Sequence, residues 1–152
     1  MAAFQYQPLD RSRKEIRLLI LEDPPNPSRA IFRSTTLKCR MIHTSLRFSP
    51  RPDYYALSYV WGDPTPVINI EIDGKHTKIT KNLAEALGSI QKNTNYHVIW
   101  ADAICINQAD NDEKGWQVQQ MIETYARAHA VIAWLGQSFN HSDRALRDLD
   151  AM

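Results

Sequence analysis

The sequence predicts an α/β domain in which parallel strands are joined by crossover helices, and three observations lead there. From residue 82 onward, segments of helical spacing alternate with short β-branched and aromatic runs in the order helix, strand, helix, strand, helix, the pattern that crossover connections produce. The front third is strand-rich and contains Asp73-Gly74, a tight hairpin signal. The length, 152 residues, suits one domain that buries roughly 70% of its unfolded surface.

Residues 1–15 are polar and mixed, and residues 16–21 (IRLLIL) form an apolar run closed by EDPPNPS, a strand and a proline-rich loop. Residues 36–42 (TLKCRMI) alternate Leu37, Cys39 and Met41 against Lys38 and Arg40, as a half-exposed strand does. Residues 54–61 (YYALSYVW) carry apolar side chains on both alternating faces around Ser58, which predicts a central strand covered on both sides. Gly62-Asp63-Pro64 breaks it. Residues 67–72 and 76–79 flank Asp73-Gly74 as a hairpin, because glycine accepts the positive φ of the turn.

Helical spacing begins at Asn82, with Leu83, Leu87 and Ile90 at i, i+4 and i+7 and Asn82 and Glu85 forming a capping box. Residues 98–100 (VIW) open a strand that carries on through ADAICI and breaks at NQADND. A second helix follows, with Trp116, Met121, Ile122 and Tyr125 on its apolar face and Asp110 and Glu113 as a reciprocal capping pair. Residues 130–135 (AVIAWL) form a buried strand stopped by Gly136, and residues 142–152 begin a third helix.

Composition narrows the function classes. A net charge of +1 supplies no basic field for nucleic acid. Cys39 and Cys105 lie far apart in apolar runs, as reduced thiols of a cytoplasmic protein do. There is no apolar run of membrane-spanning length and no signal-peptide centre near the N-terminus, so no membrane partner is expected. The five glycines make neither a G-x-G-x-x-G nor a Walker loop, and the five histidines are scattered without a C-x-x-C, so neither a cofactor nor a metal is expected. Ser58 stands in L-S-Y, outside any nucleophile elbow.

What remains is positional. Ligands of open α/β sheets sit beyond the carboxyl ends of the strands, and two strands here end in polar loops, one carrying Ser58, Trp61, Gly62 and Asp63, the other Asp102, Asn107, Gln108 and Glu113. Structural roles are open to the same residues: Trp61 as core, Ser58 satisfied by a neighbour, Asp63 starting a turn. Asp102 can bond a loop backbone, Asn107 and Gln108 suit a turn and a cap, and Glu113 can cap the second helix.

In order and spacing, YYALSYVWGD, IEIDG, ITKNLAEAL and IWADAICINQADNDEKGWQVQQMIETYARAHAVIAWLG resemble the fungal heterokaryon-incompatibility (HET) domain. The family is associated with self/non-self recognition and programmed cell death when unlike fungal cells fuse, and it is distantly similar to TIR domains. The resemblance implies a flavodoxin-like, mainly parallel sheet over residues 51–152, preceded by a strand-rich extension, residues 1–50, packed on it. It also implies a pocket for NAD as a possible substrate, lined by Ser58, Trp61, Gly62, Asp63, Asp102, Asn107 and Gln108. TIR enzymes carry their catalytic glutamate on the helix after the strand matching AVIAWLG, whereas SDRALRDLDAM holds none; the chain then reads as a HET domain incomplete at its C-terminus and inactive alone. Two rival expectations are NAD glycohydrolysis with Glu113 as the carboxylate, and a non-enzymatic module that self-associates or pairs with other HET or TIR-like domains.

Overall fold

The computed structural model describes residues 2–23 and 36–136, so the third helix expected at residues 142–152 lies outside them. Among the described residues the strands are β1 (Glu15–Leu21), β2 (Lys38–Ser45), β3 (Tyr55–Tyr59), β4 (Val67–Ile72), β5 (Lys75–Thr80), β6 (Val98–Trp100) and β7 (Ala130–Trp134). The helices are α1 (Lys81–Asn93), α2 (Asp102–Cys105) and α3 (Asn111–Ala126), and a 3-10 turn at Arg11–Arg13 leads into β1.

All seven strands join one sheet in the order β5-β4-β2-β1-β6-β3-β7. The expected mainly parallel sheet is instead mixed. β3 lies parallel to both β6 and β7, and β2 parallel to β4, but β1 is antiparallel to β2 and to β6, and β4 to β5. The cause is β1, whose IRLLIL run is apolar in both alternating sets: Ile16, Leu18 and Leu19 are fully buried. A strand with two apolar faces is most stabilised where both faces are covered, and β1 takes the middle of the sheet. The helix–strand alternation of the second half governs only the parallel trio β6-β3-β7.

The hairpin between β4 and β5 forms as expected, with Asp73 at φ 53° and Gly74 at φ 75°, both in the left-handed region that a two-residue turn requires. Three local expectations are corrected. α1 is capped by Thr80, whose Oγ1 accepts from Leu83 N–H at 3.2 Å, because β5 runs without a loop into the helix and brings Thr80 to the cap position first. Asn82 instead donates from Nδ2 to the Val60 carbonyl. The strand expected to continue through ADAICI stops at Trp100, and Asp102 to Cys105 turn helical, with Cys105 N–H donating to the Ala101 carbonyl at 2.8 Å.

The third correction concerns α3, which turns a polar row inward: Glu113, Gln117 and Thr124 are buried beside Trp116, while Ile122 is 84% exposed. β6 pairs with β1 only at Leu19 and Ile20, so carbonyls near the start of β1 need other donors. Gln117 Nε2 donates to the Glu15 carbonyl at 2.7 Å, and Gln120 Nε2 adds a second donor at 3.3 Å to the Lys14 carbonyl, which already accepts from Leu46 N–H at 3.0 Å. No described helix is long and apolar enough to cross a membrane. Cys39 and Cys105 are free and buried, and burial pushes both thiols up to about 12, holding them protonated.

Candidate ligand-binding site

β3 and β6 are neighbours and parallel, with Tyr55 opposite Ile99 and Ala56 opposite Trp100, so both chains leave the sheet at one edge. The loop after β3 bends at Gly62, φ 68°, where an added Cβ would face the Asn82 amide at 3.6 Å. The positive φ is what calls for glycine there. Together with the Asn82–Val60 bond, this bend ties the loop to α1 and sets Trp61, 46% exposed, against the end of β6.

Asp102 stands at that end as the first residue of α2. Burial raises its pKa above the usual carboxylate range, and the Ala103 N–H and the Trp61 side chain beside it offset only part of that rise. Tyr59 and Tyr125 are raised as well, first by burial and then by the Asp102 charge, which places both phenols in its field. The Tyr59 hydroxyl is sealed from solvent without a hydrogen-bond partner among the described residues. Gln108 closes the loop from below, its Nε2 donating to the Asp102 carbonyl at 2.8 Å.

The structure therefore groups Trp61, Asp102 and Gln108 at this edge, ties Gly62 to α1 through Asn82, and adds Tyr59 and Tyr125, which sequence reasoning did not place in the site. The other candidates stand apart. Asp63 Oδ1 accepts from Thr65 N–H and Oγ1 at 3.0 and 3.1 Å, a turn of its own. Ser58 is exposed on β3 opposite Ala133, and no hydrogen bond among the described residues ties it to the group. Asn107 Oδ1 accepts from Ala109 N–H at 3.2 Å.

Glu113 is 5% exposed and points at Arg17 on β1: Arg17 Nη1 donates to its Oε2 at 2.8 Å and Nη2 to its Oε1 at 2.6 Å. Asn107 N–H also donates to Oε2 at 2.6 Å. Asp110 does cap α3, accepting from Asp112 and Glu113 N–H, but the expected reciprocal bond is replaced by the arginine, since Asp110 N–H donates to the Asn107 carbonyl at 3.1 Å. The signal that could have located this pair is Arg17 itself, a lone charge inside an apolar strand run.

The raised Asp102 carries a pH prediction. The folded chain holds the Asp102 proton more tightly than the unfolded chain, so stability falls as pH rises from the ordinary carboxylate range through the raised folded value. Asp102→Asn, which removes the buried charge and keeps an acceptor oxygen, is expected to raise the thermal midpoint at neutral pH. The gap from the parent should close as pH falls through that window, read by a melting series from acid to neutral pH.

These features define an α/β protein with a mixed sheet and an aromatic, acidic edge at the carboxyl ends of two parallel strands. The chain belongs to the heterokaryon incompatibility protein (HET) family, whose model matches residues 54–152. It is 38% identical over 112 residues of alignment to heterokaryon incompatibility protein 6, OR allele, of Neurospora crassa, a match that takes in 64% of this chain and 16% of that protein. The chain thus spans a small part of the curated relative's length. No solved structure matches it.

Proposed function

We propose that this chain is the HET module of a fungal self/non-self recognition protein acting in programmed cell death, and that its Asp102 edge takes a nucleotide-type ligand of the NAD class. The observation that carries the reading is the Trp61–Asp102 pair. A half-exposed indole offers a stacking face for a planar or cationic ring, and it stands beside a carboxylate able to accept from ribose hydroxyls. The parallel trio β6-β3-β7 fits the TIR-like kinship that the family resemblance implies, with the ligand edge where parallel α/β sheets keep theirs. Glu113 is a poor candidate for the chemistry, because both its oxygens are taken by Arg17 and one also by Asn107. The role assigned to this edge is binding.

Titrating the purified chain with NAD, while following tryptophan emission and free nicotinamide, tests this. Saturable binding without nicotinamide release is expected, and Trp61→Ala should weaken it on the order of tenfold, in line with about 1–3 kcal/mol for a base stacked on an aromatic side chain. No saturation at millimolar NAD would remove the nucleotide reading. Nicotinamide release by the parent chain would overturn the assignment of this edge to binding alone.

A further inference from the structure

We infer that Arg17 is the positioning residue of this site: its grip on Glu113 and on the α2 backbone fixes the segment that presents Asp102 and Gln108. The inference rests on the Asp102 edge being the functional site, and it concerns a residue that precedes the matched stretch 54–152. Arg17 is fully buried in β1. Besides its fork on Glu113, Nη1 donates to the Cys105 carbonyl at 3.1 Å and Nη2 to the Gln7 carbonyl at 2.7 Å. Tyr6 lies over the guanidinium, 4.7 Å from its Cζ, and donates from its hydroxyl to the Ile104 carbonyl at 2.7 Å.

Three backbone groups, the carbonyls of Ile104 and Cys105 in α2 and the N–H of Asn107 in the loop before α3, are thereby bonded to Tyr6, Arg17 and Glu113. Asp102 lies just upstream of these anchors and Gln108 just downstream, and the Gln108–Asp102 bond closes the loop between them. Apolar side chains of similar volume often stabilise a fold as well as a buried ion pair does. What they cannot supply is directional bonding to the Cys105 carbonyl and the Asn107 N–H, so the pair sets where the loop stands. The N-terminal segment accordingly contributes to the site's geometry as well as to the middle of the sheet.

Glu113→Gln keeps the shape but has one acceptor oxygen where two are used, and Arg17→Met with Glu113→Leu removes both charges. In each, amide hydrogen exchange over residues 102–108 should quicken at least tenfold while β3 and β7 keep their protection. The pH midpoint of Trp61 emission, assigned by difference from Trp61→Phe and reporting the neighbouring carboxylate, should move with it. Should the double variant not fold, Glu113→Gln carries the test. Parent-like exchange over residues 102–108, an unmoved Trp61 midpoint, or exchange that quickens equally through β3 and β7 would each overturn the inference. Neither readout uses a nucleotide, so failure to bind NAD counts against the ligand reading and leaves this one standing.

Discussion

Arg17→Met is expected to lower the unfolding free energy by about 3–5 kcal/mol, measured by urea denaturation at neutral pH. The substitution leaves Glu113, 5% exposed, as a carboxylate without its counter-ion, and it also strips donors from the Cys105 and Gln7 carbonyls. Because a domain of this size is stable by about 5–15 kcal/mol in all, the variant should be close to unfolding at 37 °C. Added salt should rescue little of the loss, since buried charges are poorly screened. The Lys14–Glu123 pair makes the contrast: its contact is 2.9 Å but its side chains are 48% and 28% exposed, and exposed pairs contribute about 0–1 kcal/mol. A loss below about 1 kcal/mol in Arg17→Met would mean that the fork carries no more than a surface pair does.

The difference between those two pairs also shows what a sequence discloses. Short-range features were legible because their causes are local. Apolar or alternating runs marked β1, β2, β3, β6 and β7, Asp73-Gly74 marked the hairpin of β4 and β5, and Asp110 marked the start of α3. The edge formed by β3 and β6 was legible too, since each run ends in polar residues suited to a loop. Partners far apart along the chain were not. Glu113 and Arg17 are 96 positions apart, and D-x-x-E before a helix has a complete local explanation that hides the distant arginine. The antiparallel place of β1 between β2 and β6 depends on which strand covers which, a choice that alternation in the second half does not constrain. Thr80 and Asn82 are both good capping types, and only the end of β5 decides between them. Tyr59 and Tyr125 escaped notice because aromatic side chains in apolar patterns read as core, and core packing is indeed part of what they do.

Trp100→Ala is expected to cost about 3–5 kcal/mol, the range for truncating a large buried aromatic. Trp100 is fully buried at the end of β6, opposite Ala56 of β3, with its ring edge-on to Tyr125 at 5.3 Å between centroids. β6 pairs with β1 and with β3 at two residues each, so little backbone pairing holds this short strand and side-chain packing must do more. The cavity would open directly beneath Asp102, two positions on, and loosen Tyr125 on the opposite wall. Trp100→Phe separates the two contributions. It keeps a ring against Tyr125 and removes the indole Nε1, which is buried without a partner among the described residues and whose desolvation already opposes folding. Phe should therefore lose much less stability than Ala in a urea series, and near-UV circular dichroism should show the tertiary aromatic signal retained for Phe and reduced for Ala. Equal losses for the two variants would mean that the indole's outer ring, and not its contact with Tyr125, is what holds β6 between its neighbours.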